Sequence, residues 1–134
     1  MNKIEPLLSR ENFKNSVFKR DSYKCVFCAK EAVDAHHILD RKLWRDGGYY
    51  LSNGASVCEE HHWLCEKTIL TVEEVRKQCK IENFVLPDSL EYDQKYDKWG
   101  NLIKVDGRRS KGVLFEDYGV KKILKQSNLL YLFY

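Results

Sequence analysis

All four histidines of this 134-residue chain fall in two adjacent pairs, His36-His37 and His61-His62, with Asn53 between them. Two knuckles accompany the pairs. Cys25-Val26-Phe27-Cys28 is one, and Cys58-Glu59-Glu60-His61 begins 30 positions after it ends. Ligands two residues apart in a tight turn lie within tetrahedral reach of one ion, so Cys25, Cys28, Cys58 and His61 form a candidate structural zinc site. Cys65 is a rival fourth ligand, but its distance from Cys58 makes no knuckle, and it reads otherwise as a buried thiol. Cys79 has no partner nearby in the sequence and reads as a core cysteine. Five cysteines is an odd count, which argues against a closed disulfide framework and, in a reducing cytosol, for metal.

Neighbouring helical residues point about 100° apart, so His61 and His62 cannot readily chelate one ion. With His61 on the zinc, His62 is free to face a second site, for which His36, His37 and Asn53 are the candidate partners. One such pair alone reads equally well as surface histidines. Two pairs flanking Asn53 beside metal knuckles point to chemistry.

The elements that must position these residues follow from pattern. Phe13, Val17 and Phe18 recur at helical spacing between Ser9 and Arg20, with Ser9 able to cap the start. Lys24–Cys28 reads as a tight metal-type turn. Ala32–Leu39 reads as a strand, Arg41–Asn53 as a loop marked by Asp46-Gly47-Gly48, and Ala55–Cys58 as a second short strand. Glu59–Glu66 opens a helix whose acidic first turn suits the helix dipole. Thr71-Val72-Glu73-Glu74 has capping-box spacing and predicts a helix to about Lys80. In the tail, Asn101–Val105 and Val113–Phe115 predict a hairpin around Asp106-Gly107, and Asp117–Lys125 a helix. Tyr96–Asn101 suggests a tight turn with Trp99 packed on the core, and no chemistry is read from it.

Asp34-Ala35-His36-His37-Ile38, then Asn53, then Cys58-Glu59-Glu60-His61-His62, resembles the HNH nuclease motif in its zinc-stapled form. Such family members usually carry two C-x2-C knuckles; here His61 stands where the fourth cysteine would be. The resemblance covers roughly residues 10–66. It implies a ββα-metal core in which His37 is the general base, Asn53 orients that base across the loop, and His36 and His62 hold one catalytic divalent cation, Mg2+ or Mn2+. It also implies cleavage that leaves 5′-phosphate and 3′-hydroxyl ends. His36 and His37 would face opposite sides of a regular strand, so either a phosphate sits between them or the strand ends there. Asp34 and Glu66 are secondary candidates for orienting a histidine, and Asp40 is a further secondary candidate.

Net charge is only +3, but its distribution is uneven. Residues 1–24 and 98–125 are basic and residues 25–97 acidic, which suits a cation-holding centre whose edges meet a polyanion. Arg41, Lys42 and Arg45, interleaved with Trp44, Tyr49 and Tyr50, could grip phosphates and stack on bases. In the tail Arg108, Arg109 and Lys111, with Lys104, Lys121, Lys122 and Lys125, could track a nucleic-acid backbone. Hydrophobic residues make up 43%, enough for a core, and Met1–Phe13 is too charged for an apolar leader. The expectation is a cytoplasmic α+β protein: a zinc-stapled nuclease core over residues 1–80, preceded within it by a helix, and a basic extension over 81–134 packed on that core. The expected partner is DNA, double-stranded most of all. RNA as substrate, or a non-catalytic zinc-ribbon nucleic-acid-binding module, are the alternatives.

Overall fold

A computed structural model describes residues 5–134; the expectation about a leader falls partly outside them. The architecture is α+β, with four α-helices and two small antiparallel sheets among the described residues. Helix α1, Arg10–Arg20, starts as expected at Ser9, whose hydroxyl accepts from the Asn12 amide. Its buried Phe13 and Val17 pack on Ala35. Strands β1, Asp34–His37, and β2, Gly54–Val57, pair antiparallel with His37 opposite Gly54. Helix α2, Glu59–Glu66, follows directly.

β1 is shorter than the sequence suggests, and β2 keeps its expected length but lies one residue earlier, for reasons visible at their ends. Past His37 the Ile38 amide bonds the Asn53 carbonyl, and the Leu39 amide bonds the Asn53 side chain instead of a strand partner. Ile38 and Leu39 then drop into the main apolar cluster. β2 stops one residue early because Cys58 becomes the N-cap of α2.

The chain alternates sides along β1, as a strand must. Ala35 and His37 face α1, where the Phe13 ring lies 4.8 Å from the His37 ring. Asp34 and His36 face α2. Gly54 permits α1 to approach, since a Cβ there would sit 2.4 Å from a Val17 methyl. Arg20 and Asp21 fasten the end of α1 to β2: Arg20 donates to the Leu51 and Gly54 carbonyls, and Asp21 accepts from the Ser56 amide.

Helix α3, Val72–Gln78, has the expected capping box between Thr71 and Glu74 and ends slightly early. The tail packs on the same core: Leu90 is buried in the main cluster, with Val85, Leu86, Tyr96 and Leu114 against it. Its hairpin forms around Asp106-Gly107, but the strands are β3, Leu102–Ile103, and β4, Arg109–Ser110. The expected second strand at Val113–Phe115 is a turn instead, because Asn101 captures the Gly112 amide and Phe115 is drawn into a second cluster with Trp99. Helix α4, Tyr118–Gln126, is capped by Asp117 and adds Val120 and Leu124 to that cluster. No helix among the described residues is long and apolar enough to cross a membrane.

Candidate metal centres and the cleft between them

Residues 24–31 form the first knuckle, closed by the Lys24–Glu31 bridge and by the Cys25 amide donating to the Lys30 carbonyl. The turn places Cys25 and Cys28 against the start of α2. There Cys58 Sγ lies 3.7 Å from Cys28 Sγ and 3.2 Å from His61 Nδ1. The four ligand atoms of Cys25, Cys28, Cys58 and His61 all lie within 4.8 Å of one another, so the cluster could hold a metal such as zinc. Zn–S bonds of about 2.3 Å give a tetrahedral edge of about 3.8 Å, which the thiol pair matches. Phe27 stacks on the His61 ring at 5.3 Å and fixes its orientation.

Two of the three cluster thiols are drawn toward the anionic form that a cation takes, whereas at Cys28 the Lys30 amide is outweighed by desolvation and the neighbouring thiols, which push it up. Burial opposes ionisation of Cys25, but the amides of Cys58, Phe27 and Cys28 outweigh it and pull the thiol down. Cys58 is likewise pulled down against burial, by the His61 amide and ring. Cys65 behaves oppositely: burial pushes its thiol up to about 12, and it stands outside the cluster. The Cys79 thiol is also pushed up to about 12 by burial, consistent with a packing role.

The second group forms one helical step further along. His62 turns away from His61 toward β1, and its ring lies 5.4 Å from that of His36. Glu66, one turn below His62, reaches both: Oε1 is 3.2 Å from His62 Nε2 and 4.0 Å from His36 Nδ1. Asp34 Oδ2 is 3.5 Å from the other His62 nitrogen. His36 is 2% exposed, and its Nδ1 has no hydrogen-bond partner. An orphaned buried imidazole nitrogen beside a histidine and a carboxylate is a donor set that fits a divalent cation.

Electrostatics sharpen this group. Burial, reinforced by Lys98, pushes His36 well below the ordinary imidazole range. The hydrogen bond with Glu66 raises His62. Burial opposes ionisation of Glu66, yet His62 and Lys98 together hold it well below the usual carboxylate range.

His37 sits on the other face of β1 but at its end, so both histidines border one cleft of about 270 Å3. Its Nε2 lies 3.2 Å from the Gly47 carbonyl, which makes Nε2 the protonated nitrogen and leaves Nδ1 as acceptor. Phe13 and Tyr49 flank the ring. Burial and then Lys98 lower its pKa. The Asn53 side chain makes no hydrogen bond to His37. It is 2% exposed, accepts from the Leu39 amide and donates to the Leu39 and Gly48 carbonyls, pinning the Gly47-Gly48 turn that meets His37. Both glycines have positive φ, and a Cβ on Gly48 would lie 2.5 Å from the Trp44 indole.

Arg41 and Lys42 line the cleft and are exposed; Lys42 also pairs with Asp117 at 3.1 Å, and Arg45 is exposed but does not line the cleft. Arg108 and Lys111 are exposed on the tail. Arg109 is a correction: it is buried, with Nη1 3.0 Å from Asp97 Oδ2, and so is not a surface residue. The buried carboxylate of Asp97 takes that charged partner, and the same carboxyl group accepts from the Trp99 and Asn101 amides and the Asn101 side chain to organise the turn.

Lys98 is the residue that sequence analysis missed. The turn seen at Tyr96–Asn101 docks its Lys98 carbonyl on the Asp40 amide and sends the side chain into the cleft. There Nζ lies 2.9 Å from Glu66 Oε2 and 3.4 Å from the His37 carbonyl. The sequence showed an unexplained turn motif, and only the structure shows where it points. No family model, curated protein or solved structure gives a significant match to the chain.

Proposed function

We propose that the chain is a metal-dependent endonuclease of the HNH type, built on a ββα-metal core stapled by zinc and hydrolysing phosphodiester bonds of DNA. The observation that carries this reading is the meeting of His36, His62 and Glu66 in a cleft that His37 also borders, one helical step from the Cys/His cluster. A zinc-ribbon binding module would leave the buried His36 nitrogen and the oriented His37 without a task.

His36, His62 and Glu66 would hold the catalytic cation, which when bound polarises the scissile phosphate and stabilises the departing 3′ oxygen. Two imidazoles and one carboxylate suit Mn2+ better than the strongly oxygen-seeking Mg2+. His37 Nδ1 takes a proton from water, and the resulting hydroxide attacks phosphorus. The Gly47 carbonyl holds the Nε2–H, so the ring keeps the required tautomer and stabilises its positive charge once protonated. Asn53 keeps that carbonyl in place through the turn it pins. Exposed Arg41 and Lys42, which line the cleft, would grip the flanking phosphates of a duplex, with exposed Arg45 as a further candidate.

Supercoiled plasmid incubated with the zinc-loaded protein should be nicked when Mn2+ is added and remain intact without it. A folded RNA assayed in parallel should be cut more slowly. Equal plasmid integrity with and without Mn2+ would leave the chain a zinc module, and faster RNA cleavage would reassign the substrate.

A further inference from the structure

The divalent-cation cluster contains a cation already. Lys98 is 5% exposed overall, lies in a cleft wall from which the tail cannot withdraw it without breaking the Asp97 turn, and pairs with Glu66 Oε2 at 2.9 Å. With neutral imidazoles, Lys98 cancels the charge of Glu66, and the Asp34 carboxylate 3.5 Å from His62 is the one negative charge left in the group. A dication entering that group meets an ammonium bound to one of its own ligands, and a single remaining negative charge that does not balance it. A phosphodiester in the same cleft supplies the missing charge.

Resting on the nuclease reading, we propose that Lys98 is a positioning residue that makes divalent-cation binding at His36, His62 and Glu66 depend on the presence of a nucleic-acid phosphate. The free protein holds the cation weakly. A backbone phosphate neutralises the excess charge and offers Lys98 an alternative partner, which releases Glu66 to the cation. Cation and nucleic acid therefore bind cooperatively, and by reciprocity the cation tightens nucleic-acid binding equally. The charge comes from the tail, so residues 81–134 control the metal site as well as packing on the core.

Mn2+ binding, followed by loss of the free-ion electron paramagnetic resonance signal, tests this without cleavage as the readout. Full-length zinc-loaded protein is used in a His37→Ala background, with and without a short DNA duplex. The parent should bind Mn2+ weakly alone and about tenfold or more tighter with duplex. Lys98→Met should bind Mn2+ about tenfold or more tighter than the parent without duplex, and the duplex should add little. Lys98→Gln keeps a polar group without the charge and should behave like Lys98→Met, which covers a failure of the methionine variant to fold. Lys98→Arg should restore the parent's dependence on duplex. A His36→Ala control separates the two claims: if it binds Mn2+ like the parent, the metal-site reading fails. If it abolishes binding while the uncharged Lys98 variants bind no tighter than the parent, the metal site stands and the role of Lys98 is overturned.

Discussion

His37 carries the proton chemistry of the proposed reaction, and its surroundings set the pH at which it works. Burial under Phe13 and Tyr49 and the charge of Lys98 lower its pKa, so the neutral, proton-accepting form survives below the ordinary imidazole value of about 6.5. The acid limb of the nicking rate should therefore fall below that pH, measured as kcat/KM between pH 5 and 8; a limb well above it would contradict the environment described. Asn53→Ala removes the partner of the buried Leu39 amide and should cost about 1–3 kcal/mol in chemical unfolding. It should also slow nicking by freeing the Gly47 turn. The histidines, the cysteines and Asn53 were all legible in the sequence because their types and spacing are themselves the signal. That Asn53 pins a glycine turn was not, since the bond runs from a side chain to backbone across a loop. Glu66 was legible only as a secondary candidate for orienting a histidine, and Lys98 only as one positive charge among many.

At the scale of elements, β1 is useful because it is short and clasped on both faces. α1 covers His37, α2 covers His36, and the strand ends where both can border the cleft. α2 in turn has no side-chain cap at its start, where Cys58 and His61 belong to the Cys/His cluster that a bound metal would clamp. Cys58→Ser should release the metal. In small zinc modules the binding free energy, about 10–16 kcal/mol, is folding free energy, so the variant should also unfold at a markedly lower temperature. Metal content by mass spectrometry and thermal melting of the helical signal check both outcomes; a melt unchanged by metal loss would show that the cluster is no staple. Helix starts were readable from Ser9 and Thr71, whose side chains do cap, while Asp117, expected as the first residue of the last helix, is its cap. The second tail strand was misplaced because Asn101 and Trp99, distant partners in the fold, decide where residues 112–115 go.

For the molecule as a whole, the tail is part of the machine. It contributes Leu90 to the main core, a second cluster around Trp99, and Lys98 to the cleft. The basic character of the tail was evident from composition, but charge count alone cannot separate surface cations from structural ones. Arg41 and Arg109 make the contrast testable. Arg41→Ala should weaken duplex binding and reduce the slope of log K against log salt by about one, without altering stability. Arg109→Ala strands the buried Asp97 carboxylate and should cost about 3–5 kcal/mol of stability. Binding titrations across salt and denaturant melts distinguish the two; a purely electrostatic binding defect in Arg109→Ala would contradict its place in the core.

The proposed hydrolysis stands or falls on one imidazole. Initial rates of Mn2+-dependent plasmid nicking should be compared for the parent protein and His37→Ala, with bound zinc quantified in both. The account predicts equal zinc and a rate reduced by about 10²–10⁴-fold in the variant. A variant that nicks as fast as the parent while retaining its zinc would contradict it.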